Sequence, residues 1–292
     1  MRIPTIWYKH SQEFKSDQFN YENGKWVLKK DVLQMYNFIG GSTLSEKDAK
    51  EDALKKRDIV KSKIDGNFNY KKNKDYEVDI REEIIATVND ENIITRNRYG
   101  ALVLNSTSLV MVDVDDASFR WRYKWNLNVF QNFTNIFKRR SFREIIEEET
   151  AKFCDLYASK GAYVRLYRTP NGYRILLLFD QPPNPGSTLS KTIMSQFRSD
   201  YTYANMCIKQ RCYRARLTPK PWRVKLKALK AIFPFRTVEE DIKHNEWVDK
   251  YHRISEKYAA CRLMESFGNT KTDKALDYHD KFCKALSNLP LA

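Results

Sequence analysis

Short apolar runs separated by turn residues are concentrated in the middle of this chain. Leu109–Val114 is a β-branched run that predicts a buried strand, and Ala101–Leu104 is the apolar run before it. The connecting Asn105-Ser-Thr-Ser predicts a hairpin between the two. Ala162–Thr169 and Tyr173–Phe179, separated by Pro170-Asn-Gly172, predict a second hairpin.

Helical spacing surrounds these strands. Ser141–Ser159 predicts a helix in which Ser141 and Glu144 form a capping box. The expected inner face of this helix consists of Ile145, Ile146, Phe153 and Leu156. The later elements are predicted to be two helices over Leu189–Gln210, a short strand over Cys212–Leu217, and helices from Thr237 onward and at about Asp273–Leu286.

The N-terminal pattern is less regular. Thr43–Lys63 predicts a charged helix with little apolar face, which is typical of a solvated arm, and Asn67–Asp75 predicts a polar connector. We therefore expect an α+β protein with three regions. These are a basic, partly helical region over 1–90, a catalytic-type core over 91–236 with a small mixed or antiparallel sheet covered by helices, and a helical extension over 237–292.

Composition points to a polyanionic partner. The 292 residues include 52 Lys and Arg against 37 Asp and Glu, which gives a net charge of +15. Nucleic acid is the commonest partner of such a surface, although a basic solvated surface gives the same count. Five scattered cysteines predict no disulfide framework, and Ile175–Phe179 is too short to cross a bilayer. We therefore expect a soluble cytoplasmic protein without membrane contact.

Two carboxylates at the end of the predicted strand are the first candidate for chemistry. Asp113 and Asp115 are two residues apart, so they share one face of a strand, with backbones about 6 to 7 Å apart. Paired carboxylates suit Mg²⁺ or Mn²⁺. The alternative is that Asp115 or Asp116 caps the following segment.

Basic residues form two further candidate sites. Arg168 and Arg174 flank the turn that contains Gly172, where guanidinium groups and backbone amides can face phosphate. Arg214, Arg216 and Lys220 follow on and after the short strand, with Tyr213 and Trp222 as surfaces for base stacking. Solvated hairpin arginines and a basic edge strand are the alternative interpretations.

The usual nucleotide and hydrolase motifs are missing from the sequence. It has no GxxxxGK[ST], GxGxxG, GxSxG or HExxH pattern, so the common kinase, dehydrogenase and hydrolase classes are disfavoured. Cys207 and Cys212 are only a weak zinc signal without a second pair. His244, His252 and His279 show no ligand spacing, so we assign no metal to these cysteines or histidines.

The order of these pieces over about residues 100–223 resembles the archaeo-eukaryotic primase superfamily, which includes the primase-polymerases of replication. The resemblance implies an RRM-like sheet and metal ligation by Asp113, Asp115 and a third acid, Asp200 or alternatively Asp180. It implies that Gly172-Tyr-Arg174 takes the place of the second motif, with Arg174 where the family has histidine. It also implies that Arg214, Arg216 and Lys220 lie near the incoming triphosphate.

The resulting hypothesis is a metal-dependent nucleotidyltransferase that acts on nucleic acid and nucleoside triphosphates. Asp113, Asp115 and Asp200 would be its catalytic metal ligands, with Arg168, Gly172, Arg174, Arg214, Arg216 and Lys220 contacting nucleotide phosphates. Two alternatives remain, because arginine cannot act as a neutral imidazole. They are a non-catalytic DNA- or RNA-binding module of a mobile-element or defence system, and a metal-dependent nuclease.

Overall fold

In a computed structural model, the described residues form helices and three antiparallel sheets, which confirms the expected α+β class. The structure describes residues 1, 3–66, 79–116, 141–229 and 233–292. Two compact units divide the chain, Arg2–Arg81 and Glu82–Ala292, with Met1 grouped with the second. The expected first boundary at 90 thus falls inside the second unit, which also includes residues 237–292.

The described strands are β1 Ile6–Glu22, β2 Lys25–Ser42, β3 Glu83–Asn89, β4 Asn92–Arg96, β5 Leu102–Ser106, β6 Val110–Asp115, β7 Tyr163–Thr169, β8 Gly172–Leu178, β9 Tyr213–Arg216 and β10 Arg262–Phe267. The described α-helices are α1 Glu46–Ile64, α2 Phe142–Leu156, α3 Thr188–Gln196, α4 Tyr201–Gln210, α5 Val238–Ser255 and α6 Lys274–Cys283.

The N-terminal unit is a long β-hairpin with one helix. β1 and β2 pair antiparallel across Asn23-Gly24, whose positive φ angles of 50° and 80° suit a tight hairpin turn. α1 confirms the predicted helix, but it is not a solvated arm. Its Ala49 and Ala53 are fully buried, and a Cβ on Gly40 would lie 1.9 Å from the Ala49 carbonyl oxygen. Small residues therefore allow the helix and β2 to pack closely. The connector expected at Asn67–Asp75 lies outside the described residues.

One sheet of the second unit has the strand order β10-β7-β8-β6, and all its pairs are antiparallel. β6 and β7 are both antiparallel to β8, so they run parallel to each other with α2 between them in sequence. This is the split β-α-β arrangement found in RRM-like folds. β10 adds a strand at the far edge, where the helical spacing had predicted no strand.

The predicted second hairpin is confirmed by the pairing of β7 with β8. Gly172 follows its turn, and a Cβ there would lie 2.0 Å from the Val114 carbonyl oxygen. Glycine is thus required because β6 and β8 approach closely at this point.

The other sheet has the order β3-β4-β5-β9, and it shows that the hairpin predicted between β5 and β6 was wrong. β5 pairs with β4 and with β9, while β6 belongs to the other sheet. The Ser106 hydroxyl accepts hydrogen bonds from the backbone N–H groups of Ser108 and Leu109, at 3.1 and 2.7 Å. This turn carries the chain from one sheet to the other.

The core of the second unit lies between these sheets and their helices. Val110, Val112 and Val114 alternate into it from β6 and are fully or almost fully buried. α2 begins with the predicted capping box and buries Ile146 and Phe153, but Leu156 is 66% exposed and does not belong to the inner face. None of the helices in the described residues has the length and apolar character needed to cross a membrane.

Candidate active site

The site is built where the edges of the two sheets of the second unit meet. β6 is the outer strand of one sheet and β9 is the outer strand of the other. The Tyr203 hydroxyl of α4 joins them, since it donates to the Met111 carbonyl at 2.7 Å and accepts from the Arg214 N–H at 3.4 Å. A strand ending in acids therefore lies beside a strand rich in arginine.

Asp113 and Asp115 alternate with buried valines along β6, as the sequence predicted. Their neighbours Val112 and Val114 are buried in the core, while Asp113 is partly exposed and Asp115 is exposed. Both line a cavity of about 450 Å³ between the two sheet edges.

Asp200 lies beside this pair because the segment before α4 is hydrogen-bonded to β6. The Asp200 N–H and the Ser199 hydroxyl both donate to the Asp113 carbonyl oxygen, each at 3.2 Å. One Asp200 carboxylate oxygen caps α4 by accepting from the Tyr203 N–H at 2.8 Å. Asp200 lines the same cavity, so Asp113, Asp115 and Asp200 form one carboxylate cluster.

Asp180, the alternative third acid, is not part of that cluster. It follows β8 at the end where Leu177 pairs with Val110, whereas Asp115 pairs with Gly172 at the opposite end of the same strand. Its carboxylate forms an ion pair with Lys271. Of the two candidates, only Asp200 is brought to the paired aspartates.

The carboxylates influence one another electrostatically. The pKa of Asp115 is raised above its usual value, first because the surrounding protein partly desolvates the carboxyl group and then by the negative charges of Asp200 and Asp113. Close carboxylates of this kind are the oxygen donors that Mg²⁺ and Mn²⁺ prefer. The donor type therefore suits either ion, although the three carboxylates do not all come within 4.8 Å of one another.

Asp113 differs from Asp115 because it has a buried partner. Arg174, opposite it on β8, donates from Nε to the Asp113 carboxylate at 2.9 Å and from Nη1 to the Arg216 carbonyl at 2.7 Å. Burial alone would raise the pKa of Asp113, but the charges of Arg174 and Arg216 lower it below its usual value. Asp113 is thus held ionised.

Two of the other predicted phosphate-binding arginines, Arg168 and Arg214, also have protein partners. Arg168 forms a two-point ion pair with Asp116, at 3.0 and 2.9 Å, and also donates to the Gly172 carbonyl. Arg214 pairs with Glu82 and donates to Gln210 at 3.0 Å, while still lining the large cavity. Arg168 and Gly172 line neither this cavity nor the smaller one beside it.

Arg216, Lys220 and Arg223 form a different group, the cation cluster. In the part of the chain that the structure describes, no carboxylate forms an ion pair with any of them. The pKa of Lys220 is lowered by burial and then by Arg216 and Arg223, and that of Arg223 by burial and then by Arg216. All three line a smaller cavity of about 130 Å³ together with Asp113 and Asp115.

An aromatic surface adjoins the cation cluster. Lys220 Nζ lies 5.4 Å from the centre of the Trp222 ring, which is 53% exposed and meets Tyr99 edge to face at 5.3 Å. Arg223 and Tyr99 are the members of this site that the sequence-based list of site residues omitted. The Arg223 signal was present, because it follows Lys220 on the same proline-stiffened loop.

A scan against protein-family models gives no match, and searches of curated proteins and of solved structures give none either. The site is therefore interpreted from its own geometry. That geometry brings together Asp113, Asp115, Asp200, Arg174, Arg214, Arg216 and Lys220, whose roles in a reaction stay predictions.

Proposed function

We propose that the protein is a metal-dependent nucleotidyltransferase of primase-polymerase type, which joins nucleoside triphosphates to a nucleic-acid strand. The observation that carries this proposal is the meeting of the carboxylate cluster and the cation cluster at one site, where Asp113 and Asp115 line both cavities. Carboxylate oxygens that can bind a divalent metal ion lie beside basic side chains that have no carboxylate partner among the described residues. Phosphoryl transfer requires this arrangement.

Each group has a distinct task in this proposal. Asp113, Asp115 and Asp200 would hold Mg²⁺ or Mn²⁺, which supplies charge neutralisation and activation of a 3′-hydroxyl when bound. Arg216, Lys220 and Arg223 bind the triphosphate, and its negative charge relieves their mutual repulsion. Trp222 and Tyr99 offer a stacking surface for a base.

Arg174 takes a positioning role rather than that of an imidazole. It is 2% exposed and donates to both Asp113 and the Arg216 backbone, so it fixes one member of each cluster from behind. This supports an enzyme in which Arg174, at the place where the primase superfamily has a histidine, supports the site and takes no part in proton transfer. Lys220, whose pKa is lowered, lines both cavities and would donate a proton to the leaving pyrophosphate.

The test is an assay of a labelled primer annealed to a template, with Mn²⁺ or Mg²⁺ and with or without nucleoside triphosphates. We expect extension only when metal and triphosphates are both present. Shortening of the strand without triphosphates would instead indicate a nuclease. Retention of the strand without any change in its length would indicate a binding module.

Asp115→Asn is the variant that tests the site. It removes one metal ligand without depriving a buried cation of its partner, so we expect extension to fall at least about 100-fold in a folded protein. Asp180→Asn is the matched control, because Asp180 lies at the opposite end of β8, and it should extend normally. Full extension by Asp115→Asn would overturn the assignment.

A further inference from the structure

A second group of ligating side chains lies at the other end of the Arg174 guanidinium. Cys261, His279 and Cys283 are completely buried, and one potential ligand atom from each lies within 4.8 Å of the others. Cys261 Sγ is 3.8 Å from His279 Nε2. A tetrahedral zinc ion separates its sulfur and nitrogen ligands by roughly 3.5 to 3.8 Å, so the spacing is close to a ligating one.

The backbone presents these side chains from two elements. His279 and Cys283 are four residues apart on α6 and therefore face the same side of the helix. Cys261 comes immediately before β10, the strand at the far edge of the sheet. The other described cysteines, Cys154, Cys207 and Cys212, do not belong to this thiol–imidazole cluster.

The orientation of His279 is fixed by a carboxylate. His279 Nδ1 lies 2.9 Å from Asp280 Oδ1, which leaves Nε2 on the side of Cys261 Sγ and Arg174 Nη1. Asp280 is itself held by the Tyr167 hydroxyl at 2.7 Å and by an ion pair with Arg165. A histidine that donates from one nitrogen to a carboxylate and offers the other to a metal is the common arrangement around bound zinc.

We infer that Cys261, His279 and Cys283 bind a zinc-type divalent ion, separate from any Mg²⁺ or Mn²⁺ at the carboxylate cluster. Two sulfurs and an imidazole suit zinc and are poor ligands for Mg²⁺. Loss of the two thiol protons offsets the two positive charges of the ion, so binding leaves no net charge in the buried site. The three side chains leave one position of a tetrahedral ion for a further ligand.

The ion would lie directly behind the proposed active site. Arg174 Nη1 is 3.3 Å from His279 Nε2 and 4.0 Å from Cys283 Sγ, while Arg174 Nε is bonded to Asp113. A metal at Nε2 would occupy the lone pair that Arg174 faces, and the Cys283 thiolate would then accept from the Arg174 N–H. The site would thereby anchor the arginine that holds Asp113.

The experiment measures metal in the full chain, purified under reducing conditions after exposure to zinc. We expect about one zinc per chain, bound during folding. After refolding with Co²⁺ in place of zinc, we expect a thiolate-to-cobalt charge-transfer band and the intense visible bands of a tetrahedral site. A wild-type chain that retains no zinc and shows no cobalt bands would overturn the inference.

Cys283→Ser and Cys212→Ser form a matched pair, since both replace a completely buried free cysteine. Zinc should be lost from the first variant and retained by the second, and equal retention would count against the site. If Cys283→Ser fails to fold, the cobalt spectrum of the wild-type chain decides. A Cys261–Cys283 disulfide in the freshly purified chain, found by mass spectrometry in place of metal, would also refute the site. None of these results depends on the primer-extension assay.

Discussion

Charged residues around the cavity belong to two regions that differ in how their charge is balanced. In the buried layer of β8 and β9, Arg174 pairs with Asp113 and Arg214 pairs with Glu82. On the loop after β9, Lys220 and Arg223 lie beside Arg216 and have no carboxylate partner among the described residues. The charges of the first region are neutralised within the protein, and those of the second are the ones that the proposed function assigns to a ligand.

Asp113 and Asp115 show the same contrast on a single strand face. The pKa of Asp113 is lowered because Arg174 and Arg216 outweigh the effect of burial. The pKa of Asp115 is raised by burial and by its neighbours Asp200 and Asp113. Side chains two residues apart on one strand face can therefore have opposite pKa shifts, because only Asp113 has an arginine partner. A charge that its surroundings disfavour, as they do for the Asp115 carboxylate, is typical of functional sites.

Arg174→Met should give the largest change in stability, because it leaves the Asp113 carboxylate without its buried partner. Breaking one side of a buried ion pair costs about 3 to 5 kcal/mol, so we expect a loss of that order in the free energy of unfolding measured in urea. Arg216→Met, on the edge strand β9 of the other sheet, is the control and should change this free energy by no more than about 0.5 kcal/mol. Similar losses in both variants would remove the distinction between the two regions.

The ion pair between Arg214 and Glu82 should have a smaller effect of the same kind. Each of Arg214→Met and Glu82→Gln is expected to lower the free energy of unfolding by about 1 to 3 kcal/mol, since it leaves a buried partner unsatisfied. In the double variant the losses should fail to add, with a coupling energy of about 0.5 to 3 kcal/mol. Urea unfolding of the four proteins measures this coupling. Strict additivity would show that the two side chains act independently.

The local parts of this architecture could be predicted from the sequence. The hairpin of β7 and β8 follows from its Pro-Asn-Gly turn, and α2 from Ser141 and Glu144. The shared face of Asp113 and Asp115 follows from strand alternation. Asn23-Gly24 was an equally local signal for the β1–β2 hairpin, and charged residues along both strands obscured it.

What could not be predicted depends on contacts between distant parts of the chain. β5 pairs with β9 across more than a hundred residues, and apolar patterning alone gives no choice of partner for an isolated short strand. The partners of Arg168, Arg174 and Arg214 could not be predicted either, because they are distant in sequence. The thiol–imidazole cluster needs α6 packed against the start of β10, although the His279-x₃-Cys283 spacing was visible.

Asp115→Asn should leave stability unchanged or raise it, in contrast to the losses above. Because the folded-state pKa of Asp115 is raised, its contribution to stability is complete below the unfolded pKa and is lost as the pH rises through the folded pKa. The variant lacks this loss, so its advantage over wild type in metal-free buffer should grow as the pH rises across the carboxylate range. Thermal unfolding from pH 3 to pH 7, which covers the usual aspartate pKa of 3.8, measures the difference.

Added Mg²⁺ or Mn²⁺ provides the complementary measurement on Asp115→Asn. A cation that binds only the folded state raises its melting temperature, by an amount that grows with the logarithm of the cation concentration above Kd. We expect this rise for wild type and Asp180→Asn but not for Asp115→Asn at neutral pH. An equal rise in all three proteins would show that the ion binds elsewhere.

Lys220→Met should have the smallest effect on stability and a clear effect on binding. The folded-state pKa of Lys220 is lowered, so its contribution to stability is present above the unfolded pKa of 10.5 and is lost as the pH falls through the folded pKa. At neutral pH its charge therefore opposes folding, and removing it should leave the melting temperature unchanged or slightly higher.

Binding of triphosphate to Lys220→Met should weaken several-fold and become less sensitive to salt, because one phosphate contact is lost. Lys209→Met, an exposed lysine of α4 that lines neither cavity, is the control. If the two variants bound triphosphate equally well, Lys220 would belong with the solvated surface charges, and the cation cluster would lose its assigned ligand.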